Sequence, residues 1–468
     1  MTSPLKLPGV NGQRQGLARL LCLGCFAGLI AITSTRIAPS DEAALATAVL
    51  HRPSKAPDRI ILSWTADPAT TQTVTWRTDK GASRAIAQIA LAEDGPDFAK
   101  KAQEVAAATS PFRSDLGEAN FHSVRFTGLQ PDTMYAYRVG DGWNFSEWHQ
   151  FRTASDQPRP LTFIYGGDAQ NDILSHWSRV IRTAYSHAPD ARFIIHAGDL
   201  ANTGLRDYEW GEWFRAAGWI NAIVPSLPTP GNHEYPRSGD NTRSLAPHWR
   251  AQFSLPENGP SGLEETCYYL DIQGVRIVSL NSNERLEEQT RWLDALLSGP
   301  RLAWTVLAFH HPLFSAAKNR DNRKLRDLWQ PVFDKHRVDL VLQGHDHTYG
   351  RSNLVSGVNV RARSGTVYVV SVSGPKMYEV NRQPWMARAA ERTQLFQIVR
   401  IAGNTLRYEA RTPRGLLYDA FELRKRSGRP NSLVNRIPAT PERLGLSTAA
   451  PVSSARLMKK PGMSHLEE

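Results

Sequence analysis

Cysteine is scarce in this 468-residue chain, and its placement excludes two kinds of stabilising site. Of the three cysteines, Cys22 and Cys25 stand near the N-terminus, and Cys267 stands alone in the rest of the chain. If the N-terminal segment is removed, the mature chain can form no internal disulfide. A zinc site built on several cysteines is excluded as well.

Long hydrophobic runs are also missing. The apolar stretch nearest to a membrane span covers only about fifteen apolar or small residues, from 20 to 34, and follows a basic start without any acidic residue. This pattern is typical of a signal peptide and is short for a membrane span. We therefore predict that residues 1–40 are a signal peptide or an uncleaved anchor. The protein is then exported, as a periplasmic, extracellular or outward-facing anchored protein.

The body of the chain lacks an excess of one charge sign, although the formal net charge is +11. Residues 1–40 carry four basic residues and no acid, and residues 421–468 carry nine Lys or Arg against four Glu. These ends account for most of the positive charge, so residues 41–420 are close to neutral. We predict no nucleic-acid partner, and membrane contact only through the N-terminal segment.

Short strand-like runs predict a first, all-β domain over residues 57–155. The runs are rich in β-branched and aromatic residues and are separated by Gly, Pro and Asp, which is typical of an antiparallel sandwich. Residues 129–139 resemble the late-strand signature of fibronectin type III domains, in which Tyr135 ties its hydroxyl back to the backbone. We interpret Trp64 and Trp76 as core residues of this fibronectin type III or immunoglobulin-like sandwich.

From residue 161 onward, apolar runs of strand length alternate with amphipathic stretches of helix length. This alternation predicts an α/β domain over residues 160–423, with strands buried between helical layers. Beyond residue 424 the chain is rich in Pro, Ser, Arg and Lys and has few large apolar residues. We predict a disordered basic tail over residues 424–468.

Five of the predicted strands end in polar residues that suit metal ions. Because the carboxyl ends of strands in an α/β sheet form the usual site of such folds, we expect these side chains to converge. Carboxylates, an amide carbonyl and imidazoles suit first-row metals, and the preceding glycines are expected to supply sharp turns. The five motifs are Gly167-Asp168, Gly198-Asp199, Gly231-Asn232-His233-Glu234, His310-His311-Pro312 and Gly344-His345-Asp346-His347.

In this order the motifs resemble the motif set of the calcineurin-like metallophosphoesterases. With the fibronectin-like domain in front, the chain looks most like the purple acid phosphatase branch, over residues 57–423. The resemblance implies a β-sandwich flanked by helices in α-β-β-α layers. It also implies hydrolysis of a small phosphate monoester by hydroxide bound to two metal ions, whose identity stays open among iron, zinc, manganese and magnesium.

The resemblance assigns roles to individual residues. His233 and Asp199 are implied as catalytic, with His233 beside the substrate phosphate, where it stabilises charge or protonates the leaving oxygen. Asp199 bridges the two ions. The implied metal ligands are Asp168 and His347 for the first ion, Asn232, His310 and His345 for the second, and Asp199 for both.

His311 and Asp346 are neighbours of these ligands in the sequence, and we do not expect them to bind metal. His310 is favoured over His311 because the ligand of the family stands two places before that proline. We expect His311 at the rim of the pocket or in the opposite layer, and we expect Asp346 to be structural.

Two positions depart from the family pattern. Purple acid phosphatases carry, three places after the Asp of the second motif, a Tyr that binds ferric iron and gives the colour; this chain has Asn202. Other metallophosphoesterases carry a His two places after the first Asp, where this chain has Gln170. The first metal is offered neutral amides and no phenolate, so we predict no strong visible colour for the iron form.

Alternative functions stay open at this point. A phosphodiesterase or a nucleotidase could use the same metal centre, and a non-catalytic surface protein could carry a degenerate phosphatase domain. The oligomeric state is not predicted. Six further polar residues lie near the motifs and receive no role: Asn171, Asp172, Tyr208, Tyr235, Arg237 and His248.

Overall fold

The first part of the chain folds into two four-stranded antiparallel sheets that face each other. The structure is a computed structural model, and it describes residues 49–445 except residues 83 and 428. The strands are β1 Asp58–Ser63, β2 Gln72–Asp79, β3 Ile86–Leu91, β4 Gln103–Ala106, β5 Ala108–Ser114, β6 Gly117–Phe126, β7 Met134–Gly140 and β8 His149–Arg152. Their order is β1-β2-β6-β5 in one sheet and β4-β3-β7-β8 in the other, with antiparallel neighbours throughout.

One hydrophobic cluster joins these two sheets. Trp76 and Val124 enter it from the first sheet, and Ile89 and Tyr137 enter it from the second. Side chains of a strand point alternately to its two faces, so the inward positions of both sheets fill a single core. The predicted all-β sandwich is therefore present.

Three aromatic residues test the predicted core. The hydroxyl of Tyr135 accepts a hydrogen bond from the backbone N–H of Gln130 at 2.9 Å, as predicted. Trp76 lies in the sandwich core, also as predicted. The prediction for Trp64 was wrong, because its buried ring packs edge-on against Phe193 of the second domain, with ring centroids 6.1 Å apart. Trp64 follows an edge strand, and a sequence pattern does not show which of two cores such a residue enters.

The second part of the chain contains two seven-stranded mixed sheets. The first has the order β11-β10-β9-β19-β20-β21-β22, and the second has the order β12-β13-β14-β15-β17-β16-β18. In the first sheet the strands are β9 Leu161–Gly166, β10 Ile194–Ala197, β11 Ser226–Thr229, β19 Phe396–Ala402, β20 Thr405–Arg411, β21 Leu417–Arg426 and β22 Arg429–Asn435. In the second they are β12 Tyr268–Ile272, β13 Val275–Ser279, β14 Trp304–Ala308, β15 Leu340–Gln343, β16 Tyr349–Ser352, β17 Val367–Val370 and β18 Met386–Ala390.

Parallel pairing places the functional strand ends together. Strands β9, β10 and β11 run parallel to one another, and so do β13, β14, β15 and β17. Phe163 of the first sheet and Val306 of the second belong to the same buried cluster, so the sheets are stacked face to face.

Helices cover the outer faces of both sheets. They are α1 Ile173–His187, α2 Asp207–Ala217, α3 Pro247–Gln252, α4 Leu286–Ser298 and α5 Arg323–His336, with short 3₁₀ turns at Pro96–Lys101, Gly218–Ala222 and Asn232–Glu234. Trp177 of α1 and Trp213 of α2 stack against each other beside the first sheet. Leu293 of α4 and Trp329 of α5 pack with Val341 of the second sheet. The predicted α-β-β-α layers are confirmed.

The predicted disordered tail was wrong for its first part. Strand β22 pairs with β21, and the guanidinium of Arg351 donates to Oδ1 of Asn435 at 2.7 Å. Further on, the backbone N–H of Arg443 donates to the hydroxyl of Tyr418 at 3.0 Å. This segment is polar because an edge strand buries little of its surface, and composition alone does not separate such a strand from disorder. Residues 446–468 lie outside the described residues.

The N-terminal prediction also concerns residues outside the description. Residues 1–48, with the predicted leader, Cys22 and Cys25, are not among the described residues. Cys267 is buried and unpaired. Within the described residues, every helix is too short or too polar to traverse a lipid bilayer.

Candidate metal centre

All six predicted ligands lie just beyond the carboxyl ends of parallel strands. Three strands of the first sheet and two of the second lead into them, so both sheets contribute to one site. Asp168 follows β9, Asp199 follows β10, Asn232 follows β11, His310 follows β14, and His345 and His347 follow β15. The structure brings this whole set together.

Four atoms with lone pairs converge around the ring of His310. Its Nδ1 lies 2.9 Å from the carbonyl oxygen of Ala197, which can only accept, so Nδ1 carries the proton and Nε2 presents a lone pair. That Nε2 lies 3.0 Å from Oδ1 of Asn232, 3.2 Å from Oδ2 of Asp199 and 3.1 Å from Nδ1 of His345. An amide oxygen, a carboxylate oxygen and two imidazole nitrogens held this close are a donor set that suits a metal ion.

The pKa values of His310 and Asp199 are shifted by their mutual contact. Burial of the ring opposes its charge, yet the carboxylates of Asp199 and Asp168 raise its pKa to about 9. Burial also opposes ionisation of Asp199, but His310 and His233 lower the pKa of that carboxyl well below its ordinary value. In the protein without metal, a proton on His310 therefore places a positive charge beside these carboxylates.

A second group of ligand atoms lies beside the first. Atoms of Asp168, Asp199 and His347 lie within 4.8 Å of one another, and all three residues are buried. Nδ1 of His347 donates to the carbonyl of Lys376 at 3.1 Å, so Nε2 is unprotonated and lies 3.0 Å from Nε2 of Gln170 and 3.9 Å from Oδ1 of Asp168. Burial lowers the pKa of His347 to about 3 and that of His345 well below its ordinary value. Both rings are therefore neutral, as metal ligands must be.

Four of the predicted ligands have a left-handed backbone conformation. Asp168, Asp199, His345 and His347 all have positive φ, of 51°, 54°, 74° and 47°. The left-handed conformation costs a non-glycine residue roughly 1–2 kcal/mol, and such strain persists where the surroundings hold it in place. Four strained residues in one cluster are typical of a functional site.

The glycines before the ligands act differently from the prediction. Of the four, only Gly198 turns the backbone through a positive φ, of 82°. Gly344 is required for space, because a Cβ there would lie 2.5 Å from Oδ2 of Asp168 and 2.7 Å from the carbonyl oxygen of Ala197. Close approach of two loops, and not turn geometry alone, explains these glycines.

Glu234 holds the site together, and the sequence reasoning gave it no role. Its buried Oε2 accepts the backbone N–H groups of Asp199 at 2.9 Å and of Gly231 at 2.7 Å. Oε1 accepts those of Leu200 at 2.9 Å and Ala201 at 3.3 Å. One carboxylate thus fixes the loop after β10 against the loop after β11. The sequence feature that could have indicated this role is the position of Glu234 in the Gly-Asn-His-Glu motif.

His233 is oriented by a carbonyl group. Its Nδ1 donates to the backbone oxygen of Asn202 at 2.5 Å, so Nε2 is unprotonated in the neutral ring. This Nε2 lies 3.9 Å from Oδ2 of Asp199, and about a quarter of the side chain is exposed. His233 therefore stands at the mouth of the site with one nitrogen directed toward it.

Gln170 and Asn202, the two residues that depart from the family pattern, have different surroundings. Gln170 is completely buried, and its Nε2 lies 2.9 Å from Oδ2 of Asp199. The side chain of Asn202 instead accepts a hydrogen bond from Nδ2 of Asn171 at 3.0 Å. Only the first of the two amides contacts a predicted ligand.

Asp346 has the structural place predicted for it, whereas His311 lines the cavity and also has a ligand atom within 4.8 Å of those of His310 and His345. His311 lines the cavity beside the site and its Nδ1 lies 2.8 Å from the hydroxyl of Ser282. Asp346 accepts the backbone N–H groups of Ala316 at 2.6 Å and Ala317 at 3.2 Å, and so supports a neighbouring loop.

The cavity beside the site has a volume of about 530 Å³. Asn232, His311 and His345 line its inner end, and Tyr235 and Arg243 line its side. The guanidinium of Arg243 donates to the carbonyls of Asn232 at 3.4 Å and of Tyr235 at 3.2 Å. Within residues 49–445, gaps aside, no carboxylate forms an ion pair with it, and the carboxylates of Glu284 and Asp321 line the same cavity.

The six polar residues without a predicted role differ in the contacts that they make. Tyr235 lines the cavity, and its hydroxyl donates to Glu284 at 2.5 Å. His248 lies 3.6 Å from Asp207, at the contact between the two domains. The others make local contacts outside the ligand set: Asn171 with Asn202, Asp172 with Ser175, Tyr208 with Glu209 and Arg237 with Arg243.

Two family models match the chain. The model described as purple acid phosphatase, N-terminal domain, matches residues 57–153, and the model described as calcineurin-like phosphoesterase matches residues 145–349. The second match contains all six predicted ligands.

Known proteins agree with these matches. Purple acid phosphatase 15 of Arabidopsis thaliana is 28% identical over 54% of this chain and 53% of its own length. Fe(3+)-Zn(2+) purple acid phosphatase 12 of the same plant is 24% identical over 55% of this chain and 57% of its own length. The chain spans about half the length of the first curated relatives it matches. The solved structure of purple acid phosphatase PPD1 from yellow lupin seeds has the same fold, with a TM-score of 0.67 at 18% identity, over 79% of this chain and 74% of that one.

Proposed function

Because the chain belongs to the calcineurin-like phosphoesterases, in the purple acid phosphatase-like branch, we propose that it is a metal-dependent hydrolase of small phosphate monoesters. The convergence of lone pairs around Nε2 of His310 carries this proposal. A buried set of acceptors this close is built to surround cations. A degenerate binding domain has no such requirement.

The ligand set fits two metal ions. Asp168 and His347 would hold the first, and Asn232, His310 and His345 would hold the second, while the carboxylate of Asp199 lies within reach of both groups. Oxygen and imidazole nitrogen ligands without thiolate suit iron, zinc, manganese or magnesium. The name of one relative, purple acid phosphatase 12, supports an iron–zinc pair among these.

The residues of the chain prepare the reaction around these ions. When bound, the ions supply the positive charge that activates a water molecule and neutralises the phosphoryl oxygens. Asp199 is held in register by Glu234, and His233 presents Nε2 toward the same place, where it stabilises the phosphoryl group or protonates the leaving oxygen. Arg243 gives the cavity a positive wall that attracts an anionic ester.

Hydrolysis assays on purified protein test this function. The substrates are a generic aryl phosphate monoester and the matching diester, and metal content is measured by elemental analysis. We expect about two metal ions per chain and preferential cleavage of the monoester. Preference for the diester would favour a phosphodiesterase or nucleotidase on the same centre.

Two variants serve as a matched pair for the assay. Asp199→Asn removes the shared carboxylate, so monoester turnover should be lost together with metal. Asp97→Asn changes an exposed aspartate in the sandwich and should leave both unchanged. A wild-type protein that takes up no metal and shows no turnover would instead indicate a non-catalytic surface protein.

We propose further that the protein is exported, because residues 1–40 combine a basic start with an apolar stretch of signal-peptide length. Mass measurement of the mature chain from its native host distinguishes a cleaved leader from a retained anchor. A full-length chain found in the cytoplasm would contradict export.

A further inference from the structure

Gln170 stands where the ligands of the first ion meet. Its Nε2 lies 2.9 Å from Oδ2 of Asp199 and 3.0 Å from Nε2 of His347. The side chain is fully buried. It therefore approaches two of the three residues of the Asp168, Asp199 and His347 group from the interior of the protein.

The other end of this amide has no partner. Oε1 of Gln170 is buried and accepts no hydrogen bond from any described residue. A buried acceptor without a donor is unfavourable, so native structures rarely keep one. Only Nε2 of the amide is therefore well placed when the site holds no cation, and Oε1 is left without a partner.

A cation beside Asp168, Asp199 and His347 reverses the preference of the amide. Its two N–H bonds then point toward positive charge, whereas a half-turn about the last side-chain bond directs Oε1 there. The two orientations occupy the same space, since amide oxygen and nitrogen are nearly identical in size. Oε1 then meets the electron-pair acceptor that it lacks.

We infer that Gln170 is a ligand of the first metal ion through its amide oxygen. This inference rests on the proposed function, because it concerns the same two-ion centre. It gives the first ion a fourth protein ligand beside Asp168, Asp199 and His347. Asn202, the other amide at a departing position, is not part of this set, since its side chain bonds to Asn171.

Metal binding by three variants tests the inference without any activity measurement. The ions are manganese or zinc, bound in competition with a chelator, and the stoichiometry is read by elemental analysis. Gln170→Leu keeps the volume and removes the ligand, so the affinity for one of the two ions should fall about 10–100-fold. Gln170→Glu supplies a carboxylate oxygen at the same place and should bind at least as tightly as the wild type. Asn202→Ala is the matched control and should bind like the wild type.

The results separate a ligand from a hydrogen-bond donor. If Gln170 acts only by donating to Asp199, Gln170→Glu loses the donor and repels that carboxylate, so it should bind more weakly than Gln170→Leu; this result would overturn the inference. Equal affinity in all variants would overturn it too, and would leave the two-ion proposal intact. A wild-type protein without metal would overturn both. Retention of the second ion in Gln170→Leu shows that the variant has folded.

Discussion

Arg59 of strand β1 and Asp207, the first residue of helix α2, form a two-bond ion pair between the sandwich and the phosphoesterase domain. Nη1 of Arg59 lies 2.7 Å from Oδ1 of Asp207, and Nη2 lies 2.9 Å from Oδ2. Arg77 adds a bond to Oδ2 at 2.8 Å and pairs in turn with Asp58. The Arg59 and Asp207 side chains are almost inaccessible to solvent, so this contact is sensitive to the loss of either charge.

Asp207→Asn should destabilise the protein strongly. The substitution keeps the shape of the side chain but leaves Arg59 buried without a counter-charge, which typically costs about 3–5 kcal/mol in the free energy of unfolding. Urea or thermal unfolding measures the effect. Glu118→Gln breaks the exposed pair with Lys80 and serves as control, with little change expected. An Asp207 variant as stable as this control would contradict the prediction.

Glu234→Gln should weaken metal binding without touching a ligand. The amide replaces one of two accepting oxygens by a donor, so two backbone N–H groups in the loops of Asp199 and Gly231 lose their acceptor. Loss of such support typically reduces metal affinity or activity 10–100-fold. Metal titration and turnover are measured on the variant and on Glu257→Gln, an exposed control. Unchanged affinity in Glu234→Gln would show that the loops hold Asp199 by other contacts.

His122 should make the sandwich sensitive to acid. Burial lowers its pKa from 6.5 to about 4, while its ring nitrogens contact the hydroxyls of Thr78 and Thr109. The unfolded chain takes up the proton first, so this contribution to stability is complete above pH 6.5 and is lost as the pH falls toward 4. Between pH 7 and pH 5 the loss is about 2 kcal/mol.

The comparison of His122→Gln with the wild type isolates this contribution. The free energy of unfolding of the variant should fall less between pH 7 and pH 5, because glutamine does not titrate. Other buried histidines, such as His51, titrate equally in both proteins and cancel in the difference. Parallel pH profiles for the two proteins would contradict a lowered pKa of His122.

The iron-loaded protein should show no strong visible colour. Gln170 and Asn202 stand at the two variable positions, and neither can supply the phenolate that gives intense absorption. The visible spectrum after iron loading checks this. The ring of Tyr378 packs 4.8 Å from that of His347, so Tyr378→Phe tests whether its phenol contributes. An intense visible band in the iron-loaded wild type would refute the prediction, and loss of that band in Tyr378→Phe would assign it to this phenol.

The sequence predicted which residues meet at the strand ends better than it predicted their surroundings. Metal ligands need particular residue types at strand ends, and this combination is rare enough to be read from motifs such as Gly-Asn-His-Glu. The sheets followed from the alternation of apolar runs with amphipathic helices. Strands β4 and β5 were missed because their side chains are largely exposed and carry no apolar alternation.

Other features depend on contacts that no local pattern contains. Trp64 is buried against Phe193, more than a hundred residues away. Glu234 acts on backbone groups of the preceding motif, and its motif shows only that a carboxylate is present. Strand β22 is specified by its pairing with β21 and by Arg351, and its own composition is that of a tail. In each case the feature depends on contacts between residues that are far apart in the sequence.

The positive φ angles of four proposed ligands narrow the substitutions that this site can accept. Asp, Asn and His are the non-glycine residues that tolerate the left-handed conformation best, and they are also the residues that bind the metals. A replacement ligand such as glutamate at Asp168 or Asp199 would have the right donor atom on an unsuitable backbone. Random mutagenesis that selects for metal binding should therefore recover only a few residue types at these positions, fewer than coordination chemistry alone would allow.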